Sequence, residues 1–527
     1  MHDGPLSIGS RRALGRHVFP DALENAKRPP AYHATLIYTP FNALSQTPRP
    51  WGEKCGVFAV WGAADPARLT FAGLLALQHR GQESAGIAVT DGRSLMRHVD
   101  MGLVSHIFDH DCIRTLDGHA NSRAGFAGRL GGGIGHNRYS TTGSSRVENA
   151  QPFIGRSRAG EIALAHNGNL VNALELRRRL EDAGHTFHSS SDTEAILQLI
   201  AAHAGPGSPD PVADALRELR GAFSLVMLHN DRIEVARDPW GWRPLVIGET
   251  EDGALIAASE TIALDIIGAR FVREVEPGEI VTLSDAGVES RRFAPPAEPR
   301  AHCVFEHVYF ASPASKVFGQ TVQTVRERLG ERLAKESHVP ADCVLPMPDS
   351  GRSAATGYAR ASGVPYREGI IPNRYVGRTF IKPSTEERVQ AVRLKLNIVE
   401  DVVRGNRVVV VDDSVVRGTT TRAKMDQLRA AGAKEIHLRI SCPPIRHPCF
   451  FGVDFAEPTQ LIAAGREVEQ IRKLLGVDTL HYLSLEGMLD VVQTASLPRE
   501  HYCTACYSGK YPIDVARAAA GAVSGKC

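Results

Sequence analysis

Four short segments in the first half of the chain combine residue types that could do nucleophilic chemistry. Cys55 opens an apolar run that ends at Trp61, and a thiol is nucleophilic as its thiolate. Three polar segments lie downstream. The first places the cation Arg138 between polar residues, the second has the Asn167-Gly168 pair after an apolar run, and the third has the carboxylate of Asp192 at the predicted start of a helix. These segments are His136–Thr142, Ala165–Leu170 and Ser189–Glu194. A thiol together with polar side chains and an accessible backbone N–H could form a site of nucleophilic chemistry.

Each segment also has a simpler structural explanation. A single cysteine is most often a small buried apolar residue, and the polar segments are typical of turns and helix caps. Their joint occurrence in this order favours a site. The segments resemble the motifs of class II glutamine amidotransferases, whose domain begins at a nucleophilic cysteine. The matching sequences are Cys55-Gly-Val-Phe-Ala, His136-Asn-Arg-Tyr-Ser-Thr, His166-Asn-Gly-Asn-Leu and Ser191-Asp-Thr-Glu.

The resemblance implies a role for each matched residue. Cys55 is the nucleophile, and the Asn167 side chain and the Gly168 N–H form the oxyanion hole. Arg138 binds the α-carboxylate of glutamine, and a bidentate contact suits that pairing. Asp192 binds the α-amine of the same substrate.

The first 54 residues differ in composition from those that follow. They contain several prolines and no apolar secretory segment, so we interpret residues 1–54 as a removable leader or propeptide, with a disordered tail as the alternative. If Cys55 becomes the first residue, its own α-amine, with an ordinary pKa near ~8, can act as the base. Met1 is the only methionine before Cys55, which favours proteolysis over an alternative start.

A strand, a loop and a helix in the second half could bind a phosphorylated sugar. The apolar run Val408–Val411 ends in Asp412 and Asp413, and a loop of Ser, Arg, Gly and Thr follows. Ligands of α/β sheets lie beyond the carboxyl ends of the strands, and a helix N-terminus favours phosphate. Adjacent acids suit ribose hydroxyls or Mg²⁺. A strand followed by a capped helix is the simpler alternative.

This stretch resembles the 5-phosphoribosyl-1-pyrophosphate (PRPP) motif of type I phosphoribosyltransferases. The resemblance implies that Asp412 and Asp413 bind the ribose hydroxyls and, with Ser350, Mg²⁺. It implies a pyrophosphate loop at Asp349, Ser350 and Gly351, and a lid over Arg374–Leu396, which could equally be a solvated basic face. The residues implied to cradle the 5′-phosphate are Ser414, Arg417, Gly418, Thr419 and Thr420.

The chain has nine cysteines, and Cys503-Thr-Ala-Cys506 is a CxxC pair. This pair alone permits a redox couple, zinc or an iron–sulfur centre, and Cys303 and Cys449 could complete a four-thiolate site. Four unrelated buried thiols are the alternative. The contexts of all four resemble those of one subgroup of amidophosphoribosyltransferases, which implies a structural [4Fe–4S] cluster.

Two kinds of scaffold must position these motifs. Over residues 55–295, short strands alternate with Gly and Asn turns and with helical patterns near Leu69–His79 and Asp192–Ala202, a mixed α+β arrangement. Over residues 301–495, buried strands alternate with helices and predict an α/β parallel sheet. We therefore predict a glutaminase sandwich of the N-terminal-nucleophile type, a phosphoribosyltransferase domain, and a C-terminal tail over residues 496–527.

Bulk composition limits the classes of partner. The 61 basic and 59 acidic residues leave a net charge of +2, which gives no electrostatic argument for nucleic acid or membrane. No uninterrupted apolar stretch is long enough to span a bilayer. The cysteine content does not indicate a disulfide framework and favours a cytoplasmic location.

The two resemblances span residues 55–510 in the order found in one family, and the chain is identified as a member of the amidophosphoribosyltransferases. This implies formation of 5-phosphoribosylamine from glutamine and PRPP, the first committed step of purine synthesis. It also implies feedback inhibition by purine nucleotides and a homo-oligomer, expected to be a tetramer. The Asp412–Thr421 loop argues against a glutaminase fused to a sugar isomerase or an ATP-dependent synthetase. Cys55, Arg138, Asn167 and Asp192 argue against a non-catalytic nucleotide sensor.

Overall fold

The computed structural model describes residues 53–122, 131–140, 146–157, 160–205, 207–373, 396–453 and 458–515. Residues 1–52 of the predicted leader and residues 374–395 of the predicted lid lie outside the described residues. Within the described ranges, no helix is long and apolar enough to cross a membrane.

Strands dominate the first half of the chain. In chain order they are β1 (Glu53–Ala63), β2 (Ser84–Thr90), β3 (Leu95–Met101), β4 (Gly131–Ser140), β5 (Phe153–Ser157), β6 (Gly160–Leu170), β7 (Gly221–Leu228), β8 (Ile233–Arg237), β9 (Val246–Glu249), β10 (Leu255–Ala258), β11 (Arg270–Glu274), β12 (Glu279–Ser284) and β13 (Gly287–Arg292). The helices between them are α1 (Pro66–Ala76), α2 (Val104–Ile107), α3 (His110–Ala120), α4 (Ala173–Asp182), α5 (Asp192–His203), α6 (Pro211–Glu218) and α7 (Ile262–Ile266).

These strands form two sheets, in the orders β11-β9-β10-β1-β4-β2-β3 and β13-β12-β8-β7-β6-β5. Successive residues of a strand face opposite sides, and β1 shows the result. Val57 and Ala59 lie in the core between the sheets, whereas Phe58 and Val60 lie in the core beneath α1 and α3. Helices α4 to α6 cover the outer face of the second sheet. This four-layer sandwich confirms the predicted glutaminase fold.

The second half alternates strands and helices. Its strands are β14 (His302–Cys303), β15 (Lys316–Val317), β16 (Gln320–Thr321), β17 (Cys343–Pro346), β18 (Ile370–Pro372), β19 (Leu396–Ile398), β20 (Arg407–Asp412), β21 (Glu435–Ile440), β22 (Thr479–Tyr482) and β23 (Tyr502–Cys503). Its helices are α8 (Val322–Ser337), α9 (Arg352–Ser362), α10 (Glu400–Val403), α11 (Thr419–Ala430), α12 (Val468–Leu475), α13 (Leu485–Val492) and α14 (Ala505–Ser508), and Glu306–Phe310 forms a turn of π-helix.

The central sheet of this half has the order β17-β20-β21-β22, and all its pairs are parallel. The apolar run Val408–Val411 of β20 is fully buried, as expected for a strand covered on both faces. This arrangement confirms the predicted α/β domain. The last strand of the second half pairs with its first strand: β23 is parallel to β14, and Cys503 lies opposite Cys303.

Two predicted boundaries were wrong. The helix predicted over Leu69–His79 begins earlier, at Pro66, and ends at Ala76. Proline is favoured in the first turn of a helix, where its missing N–H costs nothing. The apolar run Glu161–Ala165 predicts a strand that ends at Ala165, but the strand continues to Leu170, because the polar residues of the His166–Leu170 motif pair with β7.

Candidate active sites

The predicted nucleophile lies near the start of β1, in the middle of the first sheet. Cys55 is fully buried, and its backbone is directly opposite Arg138 on β4. The Cys55 carbonyl accepts a hydrogen bond of 2.9 Å from Nε of Arg80. The structure therefore brings together the predicted nucleophile and the predicted carboxylate-binding arginine, which are distant in sequence.

The predicted oxyanion residues lie on β6 of the second sheet. The Asn167 amide is 3.5 Å from Oγ of Ser259, and the same hydroxyl accepts a 2.9 Å bond from the N–H of Val57. Ser259 thus connects the Asn167 strand to the Cys55 strand. Sequence reasoning missed this serine, since an isolated serine after an apolar strand carries no specific signal.

Gly168 has no room for a side chain. A Cβ atom there would lie 2.0 Å from the carbonyl oxygen of Ala222 and 2.6 Å from Nε2 of His166. The close approach of β6 to β7 therefore requires glycine at this position.

Asp192, which is predicted to bind the α-amine of glutamine, is hydrogen-bonded to the end of β6. It is the first residue of α5, which Ser191 caps, and its Oδ2 accepts a 3.0 Å bond from the N–H of Leu170. Burial alone would raise the pKa of Asp192, but His166, whose Nδ1 is 3.4 Å from Oδ1, and backbone donors hold it below its usual value. The carboxylate is therefore charged at neutral pH.

Arg138 has an acidic neighbour that the sequence did not indicate. Its Nη1 is 3.5 Å from Oε1 of Glu83, and both side chains are buried. The electrostatic environment of this arginine therefore includes a protein carboxylate as well as any bound substrate.

The predicted PRPP loop follows β20 in the second half. Asp412 ends the strand, and Asp413 donates its N–H to Oδ1 of Asp412 at 2.9 Å. Burial and the neighbouring Asp413 raise the pKa of Asp412 well above its usual value. Two carboxyl groups held this close favour a bound cation that would neutralise them.

Gly418 precedes the first turn of α11 and adopts a left-handed backbone with φ of 78°. A Cβ atom there would lie 2.4 Å from Cδ1 of Ile462. Arg417, Thr419 and Thr420 are exposed around this turn, and Ser414 is half-buried. Backbone N–H groups at the start of a helix and these hydroxyls are suited to bind phosphate.

The predicted pyrophosphate loop meets the PRPP loop at the same edge of the sheet. Asp349 is exposed, and a Cβ atom on Gly351 would lie 2.4 Å from the carbonyl oxygen of Val411. Burial raises the pKa of Asp413, and a hydrogen bond from Ser350 opposes that effect. The two loops therefore lie next to each other at this edge of the sheet.

Arg326, on α8, is a further charged residue beside this site that sequence reasoning missed. It is buried, donates to the carbonyl oxygens of His307 and Ala311 at 2.8 Å each, and acts electrostatically on Asp413. A lone arginine in an amphipathic helix is normally exposed, so no sequence pattern distinguishes Arg326 from a surface residue.

The four predicted cluster cysteines converge where the chain halves meet. Cys303 and Cys503 are opposite each other on β14 and β23, and the Cys506 carbonyl accepts the N–H groups of Arg446 and His447, which precede Cys449. Burial, followed by the charges of the other three thiols, raises the pKa of Cys506 well above its usual value. Burial and Cys303 raise the pKa of Cys503 to about 12.

The described residues contain no group of three or more His, Cys, Asp or Glu side chains arranged around a single metal ion. A tetrahedral zinc site needs every sulfur about 2.3 Å from one ion. In an iron–sulfur cluster each thiolate binds a different iron, so the sulfurs stand farther apart. Within the described residues, the four cysteines are therefore not arranged as the ligands of one metal ion.

Comparison with known proteins places this chain among enzymes of one kind. A family model described as a glutamine amidotransferase domain matches residues 136–265. The chain is 47% identical to the amidophosphoribosyltransferase of Synechococcus elongatus, with 88% of this chain and 92% of that protein covered. It is 46% identical to the Methanocaldococcus jannaschii enzyme, with 88% and 98% covered.

Solved structures agree in fold over the same length. The PRPP amidotransferase of Bacillus subtilis, solved with ADP and GMP, superposes with a TM-score of 0.80 at 45% identity, covering 88% of this chain and 98% of that one. A structure described as the allosteric regulatory enzyme of purine biosynthesis gives a TM-score of 0.81 at 46% identity, covering 88% and 97%. With relatives this similar over most of its length, the chain belongs to the amidophosphoribosyltransferase family.

Proposed function

We propose that the two sites divide the family's reaction between them, with glutamine cleaved at Cys55 and PRPP converted at the Asp412–Asp413 loop. The observation that supports this most is the assembly of the three other motifs around the Cys55 motif. Arg138 is its strand partner, Asn167 reaches its strand through Ser259, and Asp192 binds the end of the Asn167 strand.

In the glutamine half-reaction, the Cys55 thiolate attacks the side-chain amide carbon. The Asn167 amide and the Gly168 N–H stabilise the oxyanion, while Arg138 and Asp192 hold the zwitterionic end of glutamine. The amide nitrogen leaves as ammonia after it gains a proton, and water then releases glutamate from the thioester. The α-amine of a processed Cys55 serves as the base that transfers these protons.

In the second half-reaction, ammonia attacks the anomeric carbon of PRPP and pyrophosphate leaves. Ser414, Arg417, Gly418, Thr419 and Thr420 hold the 5′-phosphate, and the Asp349–Gly351 loop holds the pyrophosphate. Mg²⁺, bound through the carboxylates of Asp412 and Asp413 and the Ser350 hydroxyl, would neutralise charge on the leaving group. Positioning and exclusion of water should account for most of the rate.

The proposed base requires that residues 1–54 be removed. In the unprocessed chain β1 extends two residues before Cys55, to Glu53, so the Cys55 nitrogen is part of a peptide bond. Intact mass and N-terminal sequencing of active enzyme should give Cys55 as the first residue. Active enzyme that still begins at Met1 would contradict leader removal.

We further propose that Cys303, Cys449, Cys503 and Cys506 bind a [4Fe–4S] cluster with a structural role. The pairing of Cys303 with Cys503 and the mutual electrostatic influence of the four thiols support it. Apolar side chains around them, including Trp242, Phe450 and Phe451, would shield such a group from water.

Three further properties follow from the family and remain proposals for this chain. The Bacillus subtilis structure contains ADP and GMP, so purine nucleotides are the expected feedback inhibitors. A homotetramer and a cytoplasmic location are expected on the same basis. Inhibition of PRPP turnover by each nucleotide and light scattering of the purified enzyme would test the first two.

The decisive experiment is a Cys55→Ala variant assayed with glutamine and, separately, with ammonia. We expect loss of glutamine-dependent pyrophosphate release and retention of the ammonia-dependent reaction. Cys112→Ala, which changes a half-buried thiol on α3, is the matched control and should keep both activities. The parent enzyme and both variants are expressed from coding sequences that begin immediately before residue 55. A difference in leader removal then cannot cause a difference in activity. Retention of glutamine-dependent activity by Cys55→Ala would contradict the proposal.

A further inference from the structure

A group of buried charges joins the two halves of the chain next to Cys55. Arg80 and Arg243 belong to the glutaminase half, and Glu306 opens the π-helical turn of the second half. All three side chains are buried, with Glu306 completely so. Buried charges of this kind are costly unless each is paired and hydrogen-bonded, so their arrangement is specific.

One guanidinium group contacts both the nucleophile and the second half. Nη1 and Nη2 of Arg80 donate to the two carboxylate oxygens of Glu306 at 2.9 and 2.8 Å, while Nε donates to the Cys55 carbonyl at 2.9 Å. The guanidinium is planar and rigid, so its five donors have a fixed geometry. The position of the Glu306 carboxylate therefore constrains the position of the Cys55 backbone.

Glu306 also reaches the oxyanion strand through Arg243. Arg243 donates from Nη1 to Glu306 at 3.0 Å and from Nη2 to the carbonyl oxygen of Phe451 at 2.9 Å. The preceding carbonyl, that of Phe450, accepts a 2.8 Å bond from the side chain of Asn169. Asn169 follows the Asn167–Gly168 pair directly, so this second chain of contacts ends beside the proposed oxyanion donors.

The backbone of the second half also packs against that pair. A Cβ atom on Gly452 would lie 3.1 Å from the carbonyl carbon of Gly168. Burial would raise the pKa of Glu306, but Arg80 and Arg243 hold it below its usual value, so the carboxylate is charged at neutral pH. Glu306 is thus a fixed anion at the point where both chains of contacts begin.

We propose that Glu306 is a positioning residue for glutamine cleavage, although it belongs to the phosphoribosyltransferase half. It orients Cys55 through Arg80 and supports the Asn167–Gly168 strand through Arg243. The glutaminase site is therefore complete only when the second half is folded against it. This inference rests on the proposed role of Cys55 as the nucleophile.

The test is a Glu306→Gln variant of the full-length enzyme. Gln keeps the size of the side chain but removes the charge that Arg80 and Arg243 share, while Arg80 keeps its hydrogen bond to Glu260 of the glutaminase half. We expect kcat for glutamine hydrolysis to fall about tenfold to a hundredfold, the loss typical of a displacement near 1 Å in a catalytic group. The KM for glutamine and the ammonia-dependent reaction should change less than about twofold, since Arg138, Asp192 and the PRPP loop are untouched.

A second readout is the rate at which a diazoketone analogue of glutamine alkylates Cys55, which should fall in parallel with kcat. Glu279→Gln, which removes a different glutamate that is paired with Arg273, is the control and should leave every rate unchanged. Arg80→Lys keeps a buried positive charge but cannot donate to Glu306 and Cys55 together. Arg80→Lys should show the same selective fall in kcat for glutamine hydrolysis. It provides the test of the inference if Glu306→Gln fails to fold.

Unchanged glutamine hydrolysis in Glu306→Gln, or an equal loss of both activities, would overturn the inference. Cys55→Ala measured in the same series separates this outcome from failure of the proposed function. If Cys55→Ala still uses glutamine, the nucleophile is wrongly assigned. If Cys55→Ala is inactive with glutamine while Glu306→Gln and Arg80→Lys are fully active, only the positioning role is wrong.

Discussion

Replacement of Gly168 by alanine should disable glutamine cleavage and leave the second site intact. The added methyl carbon would lie 2.0 Å from the Ala222 carbonyl oxygen, whereas Cβ contacts essentially never fall below 3.0 Å. Either β6 or β7 must therefore move by about 1 Å, and close-packed interiors resist such movement. That displacement moves the Gly168 N–H away from the oxyanion. Removal of one oxyanion donor costs on the order of 10²–10³ in kcat, or about 3–4 kcal/mol.

The assay is glutamate release at saturating glutamine beside pyrophosphate release with ammonia. The control is Gly118→Ala, because Gly118 is exposed on α3 and a Cβ atom there meets nothing within 4 Å. Alanine at that helical position should leave both activities unchanged and stabilise the helix by up to about 1 kcal/mol. If Gly168→Ala hydrolyses glutamine within about threefold of the parent rate, the assignment of its N–H to the oxyanion hole is refuted.

Two further predictions concern the cluster and acid stability. Cys449→Ser should lose bound iron and visible absorbance while Cys112→Ser retains both, and a colourless, iron-free but fully active parent enzyme would contradict the cluster. Burial raises the pKa of Glu234, but His229 and nearby arginines lower it to about 2 from 4.5, so the ionised carboxylate contributes up to about 3 kcal/mol. That contribution is complete above about pH 4.5 and is lost as the pH falls through 2. The Tm of Glu234→Gln should therefore lie below that of the parent enzyme by less at pH 3.5 than at pH 7. An equal deficit at both pH values would argue against the shifted pKa, and Glu289→Gln, on an exposed part of β13, is the control.

Sequence patterns were sufficient where the chemistry and the fold are local. The apolar run before Asp412 predicted a buried parallel strand, and the structure has one there. The motif at Cys55 likewise predicted a strand in the sandwich, and the structure has one there. In both places the functional residue is next to the pattern that positions it.

The residues that sequence analysis missed act over long separations. Ser259 reaches the strand of Cys55 from about two hundred positions away, and Arg326 reaches Asp413 from a neighbouring helix. No local periodicity marks such residues, because their role depends on tertiary packing. The boundary of β6 was missed for a related reason: Asn and Gly are poor strand formers, but pairing with β7 overrides that preference.

The pairing of β14 with β23 also bears on the order in which the protein can mature. The two strands are two hundred residues apart in the chain, so a ribosome must make nearly the whole protein before they can meet. Domains tend to fold as they emerge from the ribosome, and long-range contacts form late. A glutaminase half that has just been synthesised therefore lacks the junction until synthesis is almost complete. Because we propose that glutamine cleavage needs the second half folded against the first, we expect partly made chains, which have no acceptor for the ammonia, to hydrolyse little glutamine.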